Sequence, residues 1–338
     1  MEPGARYHGD QAVAPGMLDF AVNVRGAGPP QWLADRLAAR LADLGSYPTS
    51  SDVAAARAAV AARHGRDLDE VALLAGGAEG FALLPLLRPR LAALIAPSFT
   101  EPEAVFDAAG VPVTQVVLDA PFRLSGAAAV VPPDADLVIV GNPTNPTGVL
   151  HRRDEILALR APGRLVVVDE AFADAVPGEP ESLAGRSLPD IVVLRSLTKT
   201  WSLAGLRVGY ALGAPDVLAR LTAQRPHWPL GTLQLEALTA CCAPAAVAEA
   251  EAGARRLAEL RVEMAAGLTA AGFPVADGVA PFVLFAVPDA ELARKHLAEK
   301  GIAVRRCDTF FGLPDGYLRA AVRPEWPVLV EALQEVLW

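Results

Sequence analysis

An α/β fold with a large, mostly parallel, doubly wound sheet and a smaller α+β domain is what this 338-residue chain predicts. Three observations carry that expectation. Short aliphatic runs recur from residue 71 onward with helix-like stretches between them, the alternation that builds parallel sheets. Several runs are continuously apolar rather than alternating, as strands covered on both faces are. After residue 244 the pattern changes to one long helix followed by fewer, more widely spaced elements.

In chain order, residues 51–64 are Ala-rich with helical spacing. Strands follow at 71–74, 92–96, 113–118, 137–140, 165–168, 191–194 and 208–212, where β-branched or aliphatic residues cluster. Helices are expected between them at 78–87, 101–109, 154–160 and 214–223. A long amphipathic helix over 245–271 leads to a strand at 282–287, a helix at 289–300, a strand at 317–322 and a last helix. The resulting division is an N-terminal arm with part of the small domain (1–45), a large domain (46–244) and a small C-terminal domain (245–338).

Composition narrows the function. Apolar residues form 52% of the chain and charged residues 20%, which suits a buried core rather than disorder. A net charge of −9 argues against general attraction to nucleic acid, although local arginines can still bind anionic metabolites. The three cysteines, two of them adjacent (Cys241 and Cys242), suit neither a disulfide framework nor a zinc site, so no metal is expected. The apolar runs are too short to span a bilayer, and the first residues do not read as a signal peptide. The expectation is a cytoplasmic protein without membrane association.

In open α/β sheets the ligand site lies beyond the carboxyl ends of the strands. Three strand ends here carry chemistry. The run at 137–140 enters Gly141-Asn142-Pro143-Thr144-Asn145-Pro146-Thr147-Gly148. The run at 165–168 enters Asp169-Glu170-Ala171-Phe172, and that at 191–194 enters Arg195-Ser196-Leu197-Thr198-Lys199, with Gly205-Leu206-Arg207-Val208-Gly209-Tyr210 beyond. Singly, each has an ordinary reading as turn chemistry, a helix cap or a solvated cation. Together they match what pyridoxal phosphate needs: an amine to bind the aldehyde covalently, a carboxylate for the pyridine nitrogen, a donor to the ring oxygen and a phosphate cradle. Lys199 is the amine, Asp169 the carboxylate and Asn145 the donor. Ser196, Thr198 and Arg207 offer hydroxyls and a fixed cation to the phosphate. Gly77 and Ala78, after Gly76, offer backbone N–H groups where a helix starts.

This order of motifs resembles the histidinol-phosphate aminotransferase branch of the fold-type I pyridoxal-phosphate enzymes, over nearly the whole chain. Within it the sequence is most similar to threonine-phosphate decarboxylase of cobalamin synthesis, through residues 18–23, 195–199, 304–313 and 317–323. The resemblance implies that Phe99 stacks on the cofactor ring and that Tyr47 reaches the phosphate in the partner subunit of a homodimer. It implies that Arg319 holds a substrate carboxylate, with His8, Asn23, Arg305 and Arg323 as further contacts to substrate phosphate and carboxylate. Departures are Phe172 where related aminotransferases usually have Tyr, Pro102 where an aromatic is common, Arg25 where a second Asn often stands and Gly231 where Asn is usual. The first of these favours the decarboxylase.

The function expected is therefore decarboxylation of O-phospho-L-threonine or a similar phosphorylated amino acid. The alternative is an aminotransferase of the histidinol-phosphate type, and a lesser one a non-catalytic pyridoxal-phosphate-binding protein. A nicotinamide enzyme is disfavoured because no G-x-G-x-x-G follows the first strand.

Overall fold

A computed structural model describes residues 9–337. His8, expected among the substrate contacts, lies outside the described residues.

The chain begins with β1 (Leu18–Asp19), α1 (Gln31–Ala39) and α2 (Ser50–His64). Helix α2 is delimited locally: Thr49 and Asp52 form a reciprocal capping box, and Gly65 ends the helix at φ 62°. There follow β2 (Val71–Leu74), α3 (Gly77–Leu83), β3 (Ala92–Ala96), α4 (Glu101–Ala108), β4 (Val113–Val117) and β5 (Leu137–Gly141). Then come α5 (Arg153–Leu157), β6 (Leu165–Asp169), β7 (Ile191–Ser196), β8 (Gly209–Leu212), α6 (Pro215–Thr222) and α7 (Thr232–Cys241). The remainder is α8 (Pro244–Ala270), β9 (Phe282–Ala286), α9 (Ala290–Glu299), β10 (Ile302–Ala303), β11 (Arg305–Arg306), β12 (Tyr317–Ala321) and α10 (Trp326–Leu337).

Seven strands form one sheet in the order β2-β8-β7-β6-β5-β3-β4. All neighbours are parallel except β8, which runs antiparallel to both β2 and β7. Successive side chains on a strand face opposite ways, so the continuously apolar runs feed two cores. Val166, Val168 and Val193 join α2, α7 and the start of α8 on one face. Val167, Val192 and Leu194 join Phe81, Phe106 and Leu218 on the other. A third core surrounds the three-stranded sheet β11-β12-β9 and takes in Phe20 from near the N-terminus. It can do so because β1 pairs in parallel with β10, Leu18 opposite Ile302.

Two expected helices are shorter than anticipated. The 78–87 stretch divides into α3 and a 3-10 turn at Leu84–Leu87, because Pro85 has no N–H to continue an α-helix. The 154–160 stretch ends at Leu157. Helix α7 has no counterpart in the sequence reading. Thr232, Leu235, Glu236, Ala237, Leu238, Ala240 and Cys241 are all buried, and a helix covered on most sides shows no amphipathic stripe. Among the described residues no helix is long and apolar enough to cross a membrane.

Candidate active site

Alternation along β6 and β7 decides what faces what. Asp169 shares a face with Val167, and Ser196 shares it with Leu194, so both point to the α3 side of the sheet at its carboxyl edge. The turn at Gly76 and Gly77 meets them there. Gly76 has φ 83°, and a Cβ on it would stand 3.1 Å from Arg207 Nη2. A Cβ on Gly77 would lie 3.8 Å from that of Ser196. Gly209, on the antiparallel strand, passes so close that a Cβ would meet the Arg195 carbonyl oxygen at 2.6 Å and Gly77 N at 2.9 Å. Arg207 holds φ 58°, strained for a non-glycine residue, and its Nη1 donates to the Ala204 carbonyl at 3.2 Å. Ala78 continues the first turn of α3.

The electrostatics of this face are unbalanced. Asp169 accepts one hydrogen bond, from Ala171 N–H at 3.1 Å, and has no ion-pair partner among the described residues. Burial pushes its carboxyl up to about 6; Glu170 adds to the rise, while the Ala171 N–H and Lys199 oppose it. Lys199 is pushed the other way, down to about 8, by burial and then by the Arg319 and Arg207 cations. Its own carbonyl accepts Arg25 N–H at 3.1 Å. Thr198 is buried with its hydroxyl unpartnered, while Ser196 Oγ accepts Thr198 N–H at 3.3 Å. Phe99 packs at the edge of the same core, 6.2 Å from the Phe81 ring.

Arginines enclose the other side. Arg319 on β12 stands opposite Arg305 on β11, so two cations share one face of an antiparallel pair. Arg319 lies 5.0 Å from the Phe282 ring centre. It donates to Asn145 Oδ1 and, at 2.9 Å, to the Ala21 carbonyl, leaving its buried Nε without a partner. Burial first and Arg305 second weaken its hold on the proton, and no carboxylate pairs with it among the described residues. Arg305 donates to the Arg306 carbonyl and to Thr309 Oγ1, both at 2.8 Å, and lies over Phe310. Asn23 is buried with Oδ1 unpartnered.

Arg323 lines a cavity with Asn23 and Lys199, and its guanidinium donates to the carbonyls of Asp19, Val22, Val24 and Arg25, so it clamps the N-terminal segment there. Tyr47 meets none of the residues above within one chain; it is 71% exposed and stacked on Trp228 at 4.0 Å. The sequence reading also missed a buried charge cluster behind the site, formed by Glu170, Arg195, Asp174, Glu179 and Arg63. The signal was present: Glu170 follows Asp169 and Arg195 precedes Ser196, so the alternation of a strand sends both to the opposite face.

Pyridoxal phosphate fits this arrangement on three grounds. Buried Asp169 lacks a cation, which a protonated pyridine supplies. The unpartnered Thr198 hydroxyl and the bare Gly76–Gly77 turn beside Arg207 leave room and donors for a phosphate. Lys199, with its pKa lowered, is a better amine nucleophile at neutral pH than an exposed lysine. These needs, and the sheet that presents them, define the class: a fold-type I enzyme dependent on pyridoxal phosphate.

Comparison with known proteins agrees and adds detail. The family described as aminotransferase class I and II matches residues 16–333, and the chain belongs to that family. A protein of Mycobacterium tuberculosis named histidinol-phosphate aminotransferase is 66% identical over 331 residues, covering 98% of this chain and 90% of the relative. Threonine-phosphate decarboxylase of Salmonella typhimurium is 29% identical, covering 95% and 91%. The crystal structure of histidinol-phosphate aminotransferase from Sinorhizobium meliloti in complex with pyridoxal-5′-phosphate superposes with a TM-score of 0.80 at 21% identity, covering 94% of this chain and 89% of that one. Pyridoxal phosphate is the cofactor of this chain. The expectation of a phosphothreonine decarboxylase serving cobalamin synthesis is corrected: the relative at 66% identity carries the aminotransferase name, and the decarboxylase is far more distant.

Proposed function

We propose that this enzyme transfers an amino group between a phosphorylated amino compound of the histidinol-phosphate type and a 2-oxo acid. The observation that carries the reading is Arg319, a buried cation without a carboxylate partner among the described residues, coupled electrostatically to Lys199 and opposite Arg305. Such a cation favours an anionic substrate, and a planar fork suits carboxylate and phosphate alike. The same arginine pair then serves the phosphate of the amino donor and the carboxylate of the oxo acid in turn.

When bound, pyridoxal phosphate supplies an electron sink for the substrate Cα. Asp169 would hold a proton on the pyridine nitrogen, and Asn145 and Phe99 would position the ring. Gly77, Ala78, Ser196, Thr198 and Arg207 would hold the phosphate. Lys199 would hold the cofactor through its amine, and that amine, when free, would serve as the base at the substrate Cα. Its lowered pKa keeps a neutral amine available near pH 8. Arg319 and Arg305 would hold the anionic end of the substrate and so orient its Cα–H bond, with Asn23 as a further contact.

The reading includes a homodimer, in which the exposed Tyr47 enters the partner's phosphate site. A cytoplasmic setting belongs to it as well, given three free, buried thiols. The test is direct. Purified enzyme with L-histidinol phosphate and 2-oxoglutarate should yield glutamate and the keto phosphate without carbon dioxide. Gas release from O-phospho-threonine with no oxo acid present, and no glutamate from histidinol phosphate, would overturn it.

A further inference from the structure

The strand ends that present Asp169 and Ser196 carry a second set of residues on their other face. Arg195 is among the largest fully buried side chains, and Glu170 is 1% exposed. Arg195 Nη1 donates to Glu170 Oε2 at 2.9 Å and to Glu179 Oε2 at 2.6 Å, and Nη2 donates to Asp174 Oδ1. Arg63, from the last turn of α2, donates to Asp174 at 2.8 Å and to Glu179 at 3.3 Å. Glu170 also accepts from Ser182 Oγ at 2.6 Å and Leu183 N–H at 2.7 Å. On the neighbouring strand Tyr210 stands opposite Arg195, and its hydroxyl is 2.8 Å from His64 Nε2.

Ion pairs this deeply buried are costly to assemble and contribute little net stability compared with apolar packing. They are better explained by what they position. Glu170 is bonded to Asp169, and Glu170 N–H donates to the Leu194 carbonyl at 2.9 Å, one residue before Arg195. The Arg195–Glu170 pair therefore ties β6 to β7 beyond the last ladder position, where the two cofactor-facing residues project. It also sets a compensating positive charge against the carboxylate nearest to Asp169.

We propose that Arg195, acting through Glu170, is a positioning residue that fixes Asp169 relative to Ser196 and Lys199 and balances the charge behind Asp169. The proposal rests on the assignment of Asp169 as the carboxylate facing the cofactor ring. Charges reaching this spot are Glu170, Asp174, Glu179, Arg63, Arg66 and Lys199; His64 is kept neutral by burial and by Arg195 and Arg63, and Tyr210 and Cys242 are kept protonated by burial. Glu170 feels burial pushing its carboxyl up, against Arg195 and its two hydrogen bonds.

The test is the pH titration of the bound cofactor's visible absorbance, with thermal unfolding recorded beside it. It needs no substrate, so failure of the proposed transamination leaves it intact. Glu170→Gln keeps the side-chain shape and the acceptor for Leu183 N–H, and removes one negative charge behind Asp169. Its titration midpoint should fall by at least about half a pH unit. Arg195→Met removes the balancing cation, and its midpoint should rise by a similar amount. The double variant, which leaves the net charge of the cluster unchanged, should return close to the parent. If Arg195→Met does not fold, Glu170→Gln and the double variant still decide. A midpoint unmoved in Glu170→Gln, or moved in the same direction in all folded variants, overturns the proposal and leaves the cluster with a structural role alone.

Discussion

The two faces of β6 and β7 carry opposite electrostatics within one residue of each other. On the face toward α3, Asp169 is buried without a cation and Lys199 lies under two arginines, so each is pushed toward its neutral form. On the face toward α2, burial would raise Asp174, yet Arg63 and Arg195 draw it down to about 2. Burial likewise works against the charge on Arg195, and Glu179 and Asp174 more than offset it. The same backbone at the same depth thus gives a cluster of paired ions on one side and carboxylate and cation without ion-pair partners on the other. Unsatisfied charge is tolerable where a ligand completes it, and that is where the chemistry sits.

The sharpest way to break this comparison is Lys199→Ala. Turnover should fall by at least about a thousandfold, in line with the loss of both attachment and proton transfer. Borohydride reduction should no longer trap cofactor on the chain, read by mass spectrometry. Cofactor trapped on another lysine would move the active face elsewhere.

Arg319→Lys tests whether the unpaired cation must be a fork. A point charge cannot reproduce two parallel hydrogen bonds, so kcat/KM should drop roughly 10–100-fold for the amino donor and the oxo acid alike. Loss toward only one of them would show that the two anions use different arginines.

The pH dependence of stability should separate the faces by sign. In the cofactor-free protein Asp169 binds its proton more tightly when folded, so its contribution is present below about 4 and is lost as pH rises through about 6. Asp169→Asn should remove that decline and raise stability at pH 7 by no more than about 2–3 kcal/mol. Asp174 runs the other way. Its folded pKa is depressed, so its contribution is present above about 4 and lost as pH falls toward about 2. Chemical denaturation of both Asn variants between pH 3 and 8 checks this; slopes of equal sign would erase the contrast.

Smallest is Gly209→Ala, at the seam between the faces. Its new methyl meets the Arg195 carbonyl on one side and the Gly76–Gly77 turn on the other, and should cost about 1–3 kcal/mol with weaker cofactor retention. A shift in unfolding temperature without any loss of cofactor would confine the close approach to packing.

Much of this was readable in the residues alone. The apolar runs at 71–74 and 92–96 reappear as β2 and β3 without change, because continuous apolarity and short length define a strand covered on both faces. Asp169, Ser196 and Lys199 were legible because they punctuate such runs. What was not legible depends on contacts between distant segments. Nothing local in Arg323 says that four carbonyls from residues 19–25 will surround it, and Glu236 inside α7 gives no hint that it will be covered and paired with Arg36 and Arg40. The choice between two reactions that share cofactor contacts was beyond motif reading for the same reason, since it depends on how the anion is oriented over the ring.

The pairing of Leu18 with Ile302 has a bearing on how the enzyme comes into being. The seven-stranded sheet is complete once β8 has been made, with β8 reaching back to pair with β2. The N-terminal segment contacts Lys199 and Ser202 from that part of the chain, but its strand pairing awaits β10, and closing so long a loop is slow. Until β12 is made, the carbonyls of Ala21 and Arg25 lack Arg319 and Arg323. A nascent chain therefore carries a finished scaffold with an open site through the last part of translation. Completing the site joins Ala21 to Arg319, 298 residues apart in the chain.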